Sequence, residues 1–98
     1  MAGKLCFWEH SNFNENQAGW FLIYGEGACC QWVDTPAAQA NEMSSWRNRR
    51  SNDSKWAHGT NGNGTQHCMD SNSRDSYVGD ANNDQMQSSR LLGVDSAC

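Results

Sequence analysis

Short apolar and aromatic runs, each ended by a turn, recur along the chain. The strongest is Trp20-Phe21-Leu22-Ile23-Tyr24, which ends at Gly25. Its length and its β-branched and aromatic content predict a buried strand rather than a helix. Alternation predicts another strand over residues 5–9, and the further candidates are residues 28–34, 77–79 and 90–92. No long amphipathic helix is visible, so the pattern favours an all-β Greek-key sandwich or barrel.

Turn signals separate these runs. Thr35 can cap a short helical turn over residues 36–40, and Pro36 suits its first position because a proline has no N–H to leave unpaired. The stretch 48–65 is polar and contains Asn61-Gly62 and Asn63-Gly64, which are tight-turn signals. We interpret this stretch as a connection that holds one strand around Trp56.

Two serine pairs indicate an internal repeat. Ser44-Ser45 follows Asn41-Glu42-Met43, and Ser88-Ser89 follows Asn82-Asn83-Asp84-Gln85-Met86-Gln87. Each pair comes after a strand-like segment that contains a cysteine, Cys6 in the first case and Cys68 in the second. The pattern predicts one domain over residues 1–98 built from two divergent units. Unit one covers about 4–50, a connection about 51–65, and unit two about 66–98. Cys68 lies closer to Ser88 along the chain than Cys6 lies to Ser44, which predicts a trimmed second unit.

The composition predicts a core that needs covalent support. The 98 residues include only eight Leu, Ile and Val, against five Trp and three Phe. Such small domains often depend on disulfides. Five cysteines are an odd number, so at least one thiol is free or paired outside the chain. We predict Cys68–Cys98 and Cys6 with Cys29 or Cys30, with a bridge between the adjacent Cys29 and Cys30 as the alternative. A bridge that closes one of the longer loops, Cys68–Cys98 or Cys6 with Cys29 or Cys30, contributes about 3–4 kcal/mol.

The cysteines and the net charge restrict the cellular location and the classes of partner. Disulfides predict an extracellular or secreted protein. No apolar leader follows Met1, so we expect a processed precursor or another exit route such as lysis. The net charge of −4 and the pI near 5.1 argue against nucleic acid as a partner. No apolar run approaches the ~20 residues of a membrane span. His10, His58 and His67 lie in separate segments without a catalytic partner motif, so we predict no enzyme.

Ordered motifs along nearly the whole chain point to a family resemblance. Cys6-Phe7-Trp8-Glu9-His10-Ser11-Asn12-Phe13 and the two Ser-Ser elements resemble βγ-crystallin-like domains. The order of these motifs is most similar to the actinobacterial metalloproteinase-inhibitor family of that superfamily. The resemblance implies a disulfide-stapled Greek-key sandwich without catalytic activity, which blocks an extracellular metalloprotease with a rigid loop. The chain departs from the pattern at Glu15, where glycine is usual, and at 71–75, which lacks the aromatic residue.

The resemblance also implies calcium as a candidate ligand, although no cofactor is required. Domains of this type bind Ca²⁺ through N/D-N/D-x-x-S/T-S segments, whose hard oxygens suit the ion. The residues that match are Asn41, Ser44, Asn83, Asp84 and Ser88. Ala40 stands where an oxygen donor is expected, and we interpret Gln87 as an insertion in the second copy. The alternative is that these side chains only brace turns by hydrogen-bonding the backbone.

A contact face for a protein partner is predicted around the basic cluster. Two tryptophans in polar surroundings flank it, and the candidate residues are Trp46, Arg47, Arg49, Arg50 and Trp56. The partner would be the metalloprotease or, in a second hypothesis, a subunit of a larger assembly. In that hypothesis the chain is a structural or decoration protein of a virus particle, and the leftover cysteine forms an intermolecular bridge. A third hypothesis, an antimicrobial or carbohydrate-binding module, rests on the tryptophan content.

Overall fold

The computed structural model describes residues 3–15, 17–25, 27, 29–93 and 98, and it is an all-β fold of two four-stranded sheets. Short 3-10 segments, among them Ser11–Asn14 and Thr60–Gly62, accompany the strands. No helix in these ranges is long and apolar enough to cross a membrane. The strands are β1 (Leu5–Trp8), β2 (Phe21–Tyr24), β3 (Trp32–Asp34), β4 (Ser45–Asn48), β5 (Ser54–Ala57), β6 (Gln66–Met69), β7 (Ser73–Asp75) and β8 (Ser88–Leu91).

Each half of the chain contributes one strand to the sheet of the other half. The first sheet has the order β2-β1-β4-β7 and the second β3-β8-β5-β6, with every pairing antiparallel. The third strand of each half therefore crosses over: β3 pairs with β8, and β7 pairs with β4. Two Greek keys interlock in this way, so neither sheet can form from one half alone.

The strand register corrects the predicted repeat. Cys6 pairs with Ile23 across β1 and β2, and Lys55 pairs with Cys68 across β5 and β6. Cys68 therefore corresponds to Ile23 and not to Cys6. The second unit begins at β5, inside the predicted connection 51–65 and earlier than residue 66. The polar sequence of β5 conceals its alternation, because its buried residues include the serine Ser54.

The core lies between the sheets and uses bulky side chains in place of aliphatic ones. Trp46 is 7% exposed and Trp56 1% exposed, which contradicts their predicted place on a contact face. Both belong to the core cluster, because alternation along β4 and β5 turns them inward. Tryptophan and methionine thus supply the area that the few aliphatic residues cannot. The buried cluster comprises Leu5, Phe7, Met43, Trp46, Trp56, Met69, Val78, Met86 and Leu91.

Arg50 is also buried, and its predicted role in a contact face is wrong. Its side chain is 0% exposed. Nη1 donates to the carbonyl of Asp53 (2.9 Å) and to Ser54 Oγ (2.7 Å), and Nη2 donates to the carbonyl of Leu92 (2.6 Å). The guanidinium therefore joins the end of unit one to both ends of unit two. Arg47 and Arg49 keep partial exposure, so the five predicted residues do not share one exposed surface.

The cysteines follow the prediction in the second unit only. Cys68 is bonded to Cys98, with 5.7 Å between the Cα atoms. The predicted pairing of Cys6 is wrong, because Cys29 is bonded to Cys30 and Cys6 is free and buried. Leu5 and Phe7 face the core, so Cys6 faces the opposite side of its sheet, whereas Cys29 packs against the core. Burial raises the pKa of the Cys6 thiol. A buried thiol of this kind is poorly placed for an intermolecular bridge.

Candidate functional site

A polar pocket of about 310 Å³ opens where the end of β1 meets the turns before β4 and β8. Both units contribute to it. Three of the lining residues carry carboxylates, and the full set is Glu9, His10, Glu42, Ser44, Asn83 and Asp84. The pocket thus contains the predicted residues Ser44, Asn83 and Asp84, together with three that the motif did not single out.

Paired turns hold these residues in place. Asn41 and Asp84 have positive φ values of 62° and 61°, a conformation that Asn and Asp tolerate better than other side chains. The Asp84 N–H donates to the carbonyl of Met43 (3.1 Å), and the Asn41 N–H donates to the carbonyl of Met86 (2.9 Å). Each turn is therefore hydrogen-bonded to the chain of the other unit. This exchange brings Asp84 beside the residues of unit one.

The same hydrogen bonds fix how the two motifs correspond. Ser45 Oγ donates to the carbonyl of His10 (2.7 Å), and Ser88 Oγ donates to the carbonyl of Gly59 (2.6 Å). Ser88 is therefore the counterpart of Ser45, and Gln87 replaces Ser44 rather than adding a residue. Ser88 is 0% exposed and also accepts the N–H of Gly62 at 3.0 Å, so its predicted role as a metal ligand is wrong. It braces a turn instead.

The pocket concentrates negative charge. Partial burial and the carboxylates of Glu42 and Glu9 raise the pKa of Asp84, while His10 acts in the opposite direction. His10 Nε2 lies 3.7 Å from Glu9 Oε1. Trp20 donates its backbone N–H to Glu9 Oε1 (3.2 Å) and its indole N–H to Glu42 Oε1 (2.9 Å). Three carboxylates with little compensating charge favour occupation by a cation.

The donor set fits a hard divalent cation. Ca²⁺ takes about six to eight oxygen ligands, which carboxylates, amides, hydroxyls, backbone carbonyls and water provide. Glu9, Glu42 and Asp84 offer carboxylate oxygens, and the Ser44 hydroxyl donates to the Asn83 side-chain oxygen across the pocket. Among the described residues, one group of three His, Cys, Asp or Glu side chains has its ligand atoms within 4.8 Å of one another: Asp53, Cys68 and Cys98. Both of its sulfurs are in the disulfide, so this group is not a metal site. Glu9, His10, Glu42 and Asp84 do not form such a group of three, whereas Ser44 and Asn83 are already in direct contact.

The corresponding turn of the other half has lost this character. The counterparts of the pocket residues follow from the paired hydrogen bonds of the two turns. Asn41 corresponds to Asp84, Ala40 to Asn83, and His58 to Glu9, while Gln85 and Gln87 correspond to Glu42 and Ser44. No carboxylate remains at these positions. The predicted ligand Asn41 lies outside the pocket, and the two corresponding turns are unequal in charge.

Two histidines form a separate cluster that sequence reasoning missed. His58 follows β5 and His67 lies in β6, with 2.8 Å between their Nε2 atoms. Both rings stack on Trp56, at centroid distances of 5.3 Å for His58 and 4.2 Å for His67. Partial burial and the neighbouring His58 lower the pKa of His67. The pairing of Trp56 with His67 across the strands creates this contact, and that register was not legible in the sequence.

Comparison with solved structures identifies the fold. No family model and no characterised protein matches the sequence. The structure is similar to a βγ-crystallin from an archaeon (17% identity, TM-score 0.69, covering 93% of this chain and 99% of that one). It is also similar to a βγ-crystallin from Ciona intestinalis (16%, 0.68, 91% and 99%). A third similar structure is a βγ-crystallin domain from Flavobacterium johnsoniae (16%, 0.68, 95% and 98%). The chain therefore has the βγ-crystallin fold, while no match supports the narrower resemblance to metalloproteinase inhibitors.

Proposed function

We propose that this chain is a non-enzymatic binding domain of βγ-crystallin fold that takes up one calcium ion in the pocket between its two units. The observation that carries the proposal is the convergence of Glu9, Glu42 and Asp84 on one pocket, while the corresponding turn retains no carboxylate. This asymmetry supports a stoichiometry of one ion per chain. The domain performs no catalysis in this proposal.

Calcium would act here as a link between the units. Glu9, Glu42 and Ser44 belong to unit one, and Asn83 and Asp84 belong to unit two. Partial burial and repulsion from Glu42 and Glu9 raise the pKa of Asp84, and a divalent cation between the units would stabilise its ionised form against both. It would bind the folded chain far better than the unfolded one, since unfolding separates the ligands. Binding should therefore stabilise the fold by mass action.

Saturating calcium is expected to raise the midpoint of thermal unfolding by about 10–20 °C. At a concentration 100 times the dissociation constant, one-site binding adds about 2.7 kcal/mol. In a domain of this size each kcal/mol moves the midpoint by about 4–8 °C. Scanning calorimetry with excess chelator and then with CaCl₂ measures the shift. NaCl at matched ionic strength is the control, and equal midpoints in all three solutions would reject the proposed function.

The setting of the domain is a further part of the proposal. The disulfide between Cys68 and Cys98 supports an oxidising location, such as the extracellular space or the surface of a particle. The acidic pI argues for a protein partner or none rather than nucleic acid. Inhibition of a metalloprotease stays a prediction without structural support, because Trp46, Arg50 and Trp56 of its presumed contact face are buried.

A further inference from the structure

The paired imidazoles of His58 and His67 form a second donor cluster, and neither residue lines the acidic pocket. Their Nε2 atoms face each other at 2.8 Å, and the ring centroids are 4.9 Å apart with planes tilted by 30°. In a hydrogen bond of this kind one nitrogen donates a proton and the other accepts it. One proton therefore lies between the two Nε2 atoms.

This separation is close to that of two ligands on one metal ion. Imidazole nitrogens bind such ions at about 2.0–2.1 Å. Two of them lie about 2.9 Å apart at the right angle of a square-planar Ni²⁺ or Cu²⁺ site and about 3.3 Å apart at the tetrahedral angle of Zn²⁺. Imidazole suits Zn²⁺, Ni²⁺ and Cu²⁺ better than it suits Ca²⁺. We infer that His58 and His67 bind a divalent transition-metal ion through both Nε2 atoms. The ring that donates the hydrogen bond changes tautomer, so its proton moves to Nδ1 and both rings stay neutral. Water would complete the coordination, since both side chains are partly exposed.

The surrounding structure fixes both ligands before any metal arrives. Trp56 is 1% exposed and supports both rings from below by stacking. The β5–β6 pairing sets the position of His67 opposite Trp56. The His58 N–H donates to the carbonyl of Thr65 at 3.0 Å, which continues the same ladder by one residue. A ligand pair held in this way gives up little side-chain entropy on binding.

The inference does not depend on the calcium proposal. His58 occupies the position that corresponds to Glu9. One half therefore has a carboxylate oxygen, which suits Ca²⁺, where the other half has an imidazole nitrogen, which suits transition-metal ions. The two halves would then differ in the class of metal they accept. Each site can be present without the other, because they share no residue.

Calorimetric titration of untagged, metal-free protein with NiCl₂ tests the pair. One saturable site is expected in the wild type, and His58→Gln or His67→Gln should each weaken it by about tenfold or more. Lys55→Gln, which changes a partly exposed side chain of the same strand, is the matched control and should leave the affinity unchanged. The proton NMR signals of the wild-type rings give a second readout that requires no variant. Paramagnetic Ni²⁺ should broaden the His58 and His67 signals at substoichiometric metal before it affects His10.

The inference is wrong if the wild type shows no saturable nickel site, or if both glutamine variants bind nickel as the wild type does. It is equally wrong if the His10 signals broaden first. None of these results bears on calcium, since the calcium experiment is read from the acidic pocket. Conversely, absence of calcium binding would leave nickel binding at the histidine pair unaffected.

Discussion

Arg50→Met is expected to lower the free energy of unfolding by about 3 kcal/mol or more, because it removes three hydrogen bonds from a buried charged donor, each of which contributes about 1.5–3 kcal/mol. Methionine approximates the length of the arginine stem but has no donors. The Leu92 carbonyl and the Ser54 hydroxyl would lose their guanidinium donors, whereas the Asp53 carbonyl would keep the N–H of Leu92 at 3.1 Å. Leaving buried acceptors unpaired costs more than an average hydrogen bond contributes. Because Arg50 joins both units, the loss should affect unfolding of the whole domain.

Urea denaturation followed by tryptophan fluorescence measures this change. Arg74→Met is the matched control, because Arg74 is an exposed residue of β7 and carries the same charge. We expect less than about 0.5 kcal/mol for that control, as is usual for surface substitutions. If Arg50→Met costs no more than Arg74→Met, the side chain is not the structural link that its contacts indicate.

Asp84→Asn is expected to weaken calcium binding by a factor on the order of 100 or more, since even partners outside the first ligand shell cost 10–100-fold. Asparagine retains the shape of the side chain and tolerates the positive φ of 61°. The substitution therefore removes charge from the pocket with little strain in the turn. A competition titration against a calcium chelator dye measures the affinity.

The same variant should be at least as stable as the wild type without calcium. The pKa of Asp84 is raised in the folded chain. The fold therefore loses stability as the pH rises from the ordinary pKa of an aspartate to the raised one, and this loss is complete at neutral pH. Asparagine removes this cost at neutral pH. Glu15→Gln, an exposed change of equal charge outside the pocket, is the control and should preserve calcium affinity. Equal affinities of Asp84→Asn and the wild type would place calcium elsewhere or exclude it.

Much of the fold was legible because strands alternate. Residues 5–9 and 20–24 predicted β1 and β2 to within one residue at each end. No strand was predicted at β4, and the predicted strand 77–79 lies after β7 and outside the strands. The disulfide between Cys68 and Cys98 also agrees with the prediction. The register of the repeat was not legible. The prediction aligned Cys6 with Cys68 because both are cysteines, whereas the structural counterpart of Cys6 is Lys55.

The site was only half predicted, because a linear motif cannot show which turns meet. Asn83 and Asp84 were recognised from the motif, but Glu9 belongs to the end of a strand far away in the sequence. Glu42 lay within the quoted motif and could have been found from its carboxylate alone. The buried Arg50 shows the opposite error, since a basic cluster normally lies on the surface. Only its position between the units explains why it is enclosed.

Calorimetric titration of the chelator-treated wild type with CaCl₂ tests the central claim most directly, because it counts sites as well as detecting them. The proposed function predicts one calcium ion per chain, bound by the pocket of Glu9, Glu42, Ser44, Asn83 and Asp84. No saturable binding would contradict the proposed function. Two equivalent ions per chain would also contradict it, since the turn at Asn41 and Gln87 would then bind calcium without a carboxylate.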